Sequence, residues 1–525
     1  MYSGAGYVFV CGDQHDTSYF DLFASDGGLT EILLRFFGSP KRHFEAKNPP
    51  GVPVILPRDD LLPNPASDAK FYPYQALPNN TLIRLLRVAL LDKIETVKDK
   101  YRLIKCSMSA VDLDSCFDYD ALSYTWGDLL GMRSSSQEGV SQSEWYEQTF
   151  EIECDGILVS IGANLYAALI SIRWMMSVRD QPSFQGRLEG TPQTKFIWVD
   201  QLCINQANTD ERSSQVSLMG RIYKQADSVV VWLGGEDEYV QDASAIMATL
   251  AEKFLRDHRI FDRVRSSGMG LFDEGTYRVL GIPRFSVREW IALYAFFSRS
   301  WFARAWIVQE ISLARKPAVL CGLKLISWSL LFLTVETLRR SGWGSQLDGL
   351  GRQAVRDECE NAPTATLAQM FPLHKSQPTS GANLVNIWSI FDVKASLGYT
   401  EGMIGGRPNV KSYRLLTNIT LFRSAQAMDP RDKIYAFMSI SREFESDFVA
   451  GGEQIQLVPN YRLSPREVFI ETAKMMLLSS PALELLSLVQ NDGIASTVED
   501  LPSWVPITIH GLEWLGARSS GLSLA

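Results

Sequence analysis

The feature that most constrains this chain is a short apolar run that stops abruptly in polar side chains. Residues 196–206 read Phe-Ile-Trp-Val-Asp-Gln-Leu-Cys-Ile-Asn-Gln, so Phe196, Ile197, Trp198 and Val199 are followed at once by Asp200, then by Asn205 and Gln206. A continuous apolar run of this length suits a strand buried on both faces. In open α/β sheets, ligands sit beyond the carboxyl ends of such strands. A distant segment, Trp-Ile-Val-Gln-Glu at 306–310, places Glu310 one helical turn after Trp306, on the same face. The two segments imply a polar pocket beside a sheet, with one glutamate able to do chemistry.

The rest of the pattern supports an α/β region followed by a mostly helical one. Residues 1–80 carry many prolines and read as an extended leader, with one helix near 29–37. Regular structure begins near Ile83, and strands are predicted at 101–106, 118–124, 196–200 and 228–233. Phe150, Ile152 and Cys154 alternate with charged residues before Asp155-Gly156, which predicts a hairpin over 149–161; a second is expected around Gly322. Helices are predicted at 163–176, 209–226, 238–257, 286–298 and 301–314. Beyond a soft boundary near 340, loop-rich stretches at 342–351 and 361–381 separate helices at 383–396, 411–424, 430–440 and 464–479. The domain reading is thus leader 1–80, α/β domain 81–340 and helical region 341–525. The strands at 119–124, 196–200 and 228–233 should be neighbours in one mainly parallel sheet, because each is followed by enough chain for a crossover.

Composition removes several classes of function. A net charge of −9 argues against a chain that coats nucleic acid. Seven scattered cysteines without a CxxC pair, and five histidines without metal-ligand spacing, point to free thiols in a reducing compartment and to no metal site. No signal peptide is visible, and the most apolar stretch, 327–335, is too short to span a bilayer. The chain is therefore expected to be cytoplasmic. P-loop, nucleophile-elbow, HExxH and EF-hand patterns are absent from the sequence.

Each candidate residue has a structural reading beside the functional one. Glu310 shares its helix face with apolar neighbours and must be paired, hydrated or protonated; its structural partner would be Arg299, Arg304 or Arg315. Asp200, Asn205 and Gln206 can bind a ribose or amide, or cap a turn. Tyr124, Trp126, Gly127 and Asp128 follow an early strand, where Trp126 can stack on a flat ring or plug the core. Cys203 lies between Leu202 and Ile204 and reads as core. Asp429-Pro430-Arg431-Asp432 reads as a helix start.

These blocks carry a family signature. Ala-Leu-Ser-Tyr-Thr-Trp-Gly-Asp at 121–128 and the 197–206 segment, continuing through Glu211, Gln215, Met219 and Tyr223, resemble the fungal heterokaryon incompatibility (HET) domain. The segments at 299–311, 429–435 and 501–506 are similar to further parts of HET proteins, in the family's order. The resemblance implies a role in self/non-self recognition and programmed cell death. It also implies a fold distantly similar to Toll/interleukin-1 receptor (TIR) domains, which are flavodoxin-like α/β sheets. Some TIR domains cleave NAD through a glutamate in a Trp-x-x-x-Glu-like motif, the form of Trp306 and Glu310. By this resemblance Glu310 would be catalytic. Tyr124, Trp126, Gly127, Asp128, Asp200, Asn205 and Trp306 would then bind NAD or a related nucleotide, as substrate and not as cofactor. The competing reading is a non-catalytic signalling module that acts by homotypic assembly, and a homo-oligomer or a separate sensor protein is the expected partner.

Overall fold

The computed structural model describes residues 72–91, 103–115, 117–126, 149–179, 194–361, 384–397, 413–444 and 457–479, with residues 485–486, 501–502 and 505. Most of the Pro-rich leader, the helix expected near 29–37, the loop-rich 362–381 stretch, Gly127 and Asp128 lie outside these residues.

Nine strands form one sheet: β1 (Leu82–Val88), β2 (Lys105–Asp112), β3 (Asp120–Ser123), β4 (Thr149–Cys154), β5 (Ile157–Gly162), β6 (Phe196–Trp198), β7 (Ser228–Trp232), β8 (Pro317–Cys321) and β9 (Lys324–Ser327). Their spatial order is β5-β4-β2-β1-β6-β3-β7-β8-β9. The central strands β6, β3, β7 and β8 are mutually parallel. The flanks are mixed: β1 runs antiparallel to β2 and β6, β4 to β5, and β8 to β9, while β2 and β4 are parallel. The three strands expected to be neighbours are adjacent and parallel. The α/β class holds, with the continuous parallel run confined to the four central strands. Every residue of β3 and β7 is buried, as strands covered on both faces require.

Local chemistry explains the connections. Asp155 (φ 51°) and Gly156 (φ 78°) both adopt the left-handed conformation, which a two-residue hairpin between β4 and β5 demands. Helix α1 (Ala163–Arg179) follows, and the four-residue α2 (Asp200–Cys203) begins where β6 ends. In α3 (Thr209–Gln225), the Asn208 side chain accepts the Asp210 and Glu211 amides, each at 3.1 Å. The buried pair Arg84–Glu211, at 2.5 Å, pins the intervening loop: Arg84 also reaches the Cys203 carbonyl at 3.1 Å, and Glu211 accepts the Asn205 amide at 2.8 Å. After β7 come α4 (Glu238–Arg256), α5 (Arg259–Ser266), α6 (Glu274–Leu280), α7 (Val287–Phe297) and α8 (Trp306–Ser312). Helices α9 (Trp328–Ser341), α10 (Gly344–Asn361), α11 (Leu384–Ser396), α12 (Leu415–Leu421), α13 (Asp432–Met438) and α14 (Pro465–Ser479) complete the helical part. No helix among the described residues is long and apolar enough to cross a membrane.

Two local expectations change. The glycine-rich 342–351 stretch is helical from Gly344, because Leu347 and Val355 are fully buried and Gly351 lies flat against Tyr294, where a Cβ would come within 2.1 Å of the ring. Packing outweighs the poor helix propensity of glycine there. The helix expected over 301–314 is broken. A 3-10 turn (Ser300–Ala303) precedes an extended Arg304, because Gln426 pairs with this backbone: the Ala305 amide donates to the Gln426 carbonyl at 2.8 Å, and the Gln426 amide to Ala303 at 2.5 Å.

Candidate functional site

The parallel run of the sheet places the ends of β3 and β6 side by side. Ser123 is the last residue of β3, and Tyr124, Thr125 and Trp126 continue from it; Asp200 opens α2 directly after β6. The two loops bond to each other. The Trp126 indole N–H donates to Asp200 Oδ2 at 2.8 Å, and the Tyr124 hydroxyl donates to Gln201 Oε1 at 3.0 Å. Helix α1 ties in the next strand end: Asn164 donates to the Thr125 carbonyl at 2.7 Å and accepts the Trp232 indole N–H at 2.7 Å.

Glu310 enters this cluster from α8. Its residue exposure is 1%, and Ser123 Oγ donates to its Oε2. The Trp301 indole N–H donates to Ser123 Oγ at 2.9 Å, which fixes the serine hydroxyl in the orientation that serves Glu310. Of the three arginines considered as ion-pair partners, Arg304 is the one beside it, with Nη1 3.8 Å from Oε2; Arg299 pairs instead with Asp237. That Arg304 Nη1 is buried and makes no hydrogen bond. Arg304, extended between the 3-10 turn and α8, thus sits beside the Glu310 carboxylate.

The electrostatics follow from burial. Loss of solvent pushes the Glu310 carboxyl up to about 7, against the opposing pull of Arg304 and the Ser123 hydrogen bond. Asp200 is also raised, chiefly by burial, while Arg304 and the Trp126 donor pull it down. Burial holds the Tyr124 phenol well above its ordinary range. The cluster therefore contains two carboxyls that resist ionisation, one guanidinium with an unused donor, and the ring of Trp126, which is 42% exposed.

Tyr124, Trp126, Asp200 and Glu310 are brought together. Asn205 is not part of the cluster: its side chain accepts the Ala207 amide at 3.2 Å, a local turn. Gln206 Nε2 donates to the Asp200 carbonyl at 2.9 Å. Trp306 points elsewhere, its indole N–H donating to Asp432 Oδ2 at 3.0 Å. Cys203 is buried, and desolvation pushes its thiol up to about 12, in keeping with a core residue. Ser123, Trp301 and Gln201 were not singled out from the sequence. Ser123 and Trp301 stand inside the quoted motifs, and the signal that would have found Ser123 is its place as the last residue of a fully buried strand.

Comparison with known proteins gives one family and one curated relative. Residues 119–310 match the family model of the heterokaryon incompatibility protein (HET), a span that opens just before β3 and closes on Glu310. The chain is 25% identical, over 439 residues, to heterokaryon incompatibility protein 6, OR allele, of Neurospora crassa; the match covers 76% of this chain and 53% of that protein. The chain thus spans about half the length of this curated relative. No solved structure matches it. Residues 119–310 thus carry the likeness to the HET family.

Proposed function

We propose that this protein acts in heterokaryon incompatibility, as the name of its Neurospora relative suggests, and that its HET-like domain hydrolyses NAD at the nicotinamide–ribose bond with Glu310 as the catalytic residue. The observation that carries the chemistry is the placement of Glu310. It is a buried carboxyl held near neutrality at the carboxyl end of β3. Numbered in chain order, the central parallel strands run 2-1-3-4 in space, so β3 stands where the order reverses. That is the position at which doubly wound sheets bind ligands, and the same order supports the TIR-like reading of the fold.

In the proposed reaction, NAD and water give ADP-ribose, nicotinamide and a proton. The bond from ribose C1′ to the nicotinamide nitrogen breaks, and a bond from C1′ to the water oxygen forms. Glu310 in its carboxylate form stabilises the oxocarbenium-like ribose and receives the proton of the attacking water. A carboxyl titrating near 7 is suited to both roles at neutral pH. Trp126 supplies a face on which a nucleotide ring stacks, and Asp200 beside it accepts from a ribose hydroxyl. Since Glu310 is sealed, turnover requires its covering elements to part, and an assembly or sensor signal would act at that step to release a cell-death response in the cytoplasm.

Purified protein incubated with NAD, and separately with NADP, tests the reading by chromatography of free nicotinamide. Release above the spontaneous rate supports it. No release from either dinucleotide, with the chain folded and assembled, would favour a non-catalytic assembly module instead.

A further inference from the structure

The HET match ends at Glu310, yet the helix that carries this residue packs against α11 and α13, which come later in the chain, as well as against α3 within the match. At the amino end of α8, the Trp306 indole N–H donates to Asp432 Oδ2 at 3.0 Å, and the Tyr461 hydroxyl donates to Asp432 Oδ1 at 2.6 Å. Just before the helix, Gln426 bonds to the backbone of Ala303 and Ala305, and Asn386 Nδ2 donates to the Phe302 carbonyl at 3.3 Å. Along its flank, Ser439 Oγ donates to Gln309 Oε1. At the carboxyl end, the buried Lys394 Nζ donates to the carbonyls of Ile311 (3.2 Å), Ser312 (3.5 Å) and Ala314. An ammonium group placed on the last carbonyls of a helix adds donors where the helix has few and complements its dipole.

A seven-residue helix has too few internal hydrogen bonds to be stable alone. Its position therefore depends on these outside contacts. We infer that residues 384–397, 413–444 and 457–461 form a brace that positions Glu310: Lys394, Asp432 and Ser439 hold α8 at one end, the other end and the flank, so the site extends beyond the HET match. These are positioning residues, acting through the helix and not on substrate. The inference rests on Glu310 being the group that matters in the site, and its test separates that premise from NAD cleavage.

In the full chain, Lys394→Met, Ser439→Ala, Asp432→Ala and Asp432→Asn are compared with wild type by the titration of the Glu310 side-chain carbon. That resonance is assigned by its loss in Glu310→Gln. A loosened α8 admits water to the carboxyl, so Lys394→Met and Asp432→Ala should lower the Glu310 midpoint by about one pH unit or more. Asp432→Asn keeps an acceptor for Trp306 and should restore the wild-type midpoint. If Lys394→Met does not fold, the milder Ser439→Ala and the Asp432 pair carry the test. Where nicotinamide release is measurable, the shifted variants should lose kcat about tenfold with KM unchanged, as expected when only orientation of a catalytic group is lost. Variants that lower the melting temperature while leaving the Glu310 midpoint in place would overturn the brace, because that is what a merely structural contact does. If wild type releases no nicotinamide, the catalytic reading fails, and the brace still stands or falls on the titration alone.

Discussion

Ser123 and Glu310, 187 residues apart in sequence, share a buried hydrogen bond in which the serine hydroxyl donates to the carboxylate. The strand end and the helix that make the site are thereby joined at one bond, and Trp301 completes the relay by donating to Ser123. This hydrogen bond favours the ionised form of Glu310. Ser123→Ala should therefore raise the Glu310 midpoint above 7 and move any activity that needs the carboxylate to higher pH. The variant also leaves the Trp301 indole without an acceptor, at a cost of roughly 1–3 kcal/mol in stability. Side-chain carbon titration and denaturant unfolding check the two effects separately.

Glu310 also sets a pH dependence of stability. Its folded-state pKa, about 7, lies above the value of 4.5 expected when unfolded. Between those values the folded chain binds more protons than the unfolded one, so stability falls as pH rises from about 4.5 to 7. Asp432, pushed up to about 6 by burial, acts in the same direction over the lower part of that window. Glu310→Gln removes the first contribution. The variant should be more stable than wild type at pH 8, by up to ~3 kcal/mol less whatever Arg304 loses, and the gain should vanish near pH 4. Urea unfolding at the two pH values measures this; a gain that persists at pH 4 would contradict it.

Which parts of this arrangement were legible in the sequence follows from the reach of each interaction. The β3, β6 and β7 adjacency was legible because apolar runs mark buried strands and crossover length dictates parallel pairing. The meeting of Trp126 with Asp200 followed from the same rule, since both sit after parallel strand ends. The break before α8 was not legible, because it depends on Gln426, more than a hundred residues away, pairing with the Ala303 and Ala305 backbone. For the same reason Trp306 could be placed on the Glu310 helix but not on Asp432. Helix α10 was hidden by its glycines, whose low propensity is overruled by the close approach of Tyr294. Ser123 was overlooked because a serine inside an apolar strand gives no periodic signal; only its partner reveals it.

Trp126 tests the binding face of the site. Its ring is 42% exposed, and its indole N–H is bonded to Asp200. Trp126→Ala uncovers a ring that is more than half covered and takes a donor from Asp200, so it should cost roughly 1–3 kcal/mol in unfolding free energy while leaving the chain folded. A nucleotide that stacks on this ring should bind more weakly by about 1–3 kcal/mol. Calorimetric titration with ADP-ribose against wild type checks the prediction, and equal affinity would remove Trp126 from the site.

Gly220 probes the contact between α3 and the Ser439 turn. A Cβ at this position would lie 2.3 Å from Ser439 Cβ and 2.7 Å from its Oγ. No rotamer change relieves a clash with a Cβ, so Gly220→Ala must push Ser439 away from Gln309. Overpacking of this kind costs about 1–3 kcal/mol despite the better helix propensity of alanine. Thermal unfolding should show a lowered midpoint, and hydrogen exchange should quicken at the 306–312 amides.

The most direct test of the central claim is the rate of nicotinamide release from NAD by wild type and by Glu310→Gln, measured side by side with toxicity of the two chains in cells. Glutamine keeps the shape and the acceptor for Ser123 but not the charge. Loss of one charged stabiliser commonly lowers rate by on the order of 10²–10³. The account predicts measurable release by wild type, loss of that magnitude in a variant that remains folded and binds ADP-ribose, and parallel loss of toxicity. Wild-type levels of release or of toxicity in Glu310→Gln would contradict it.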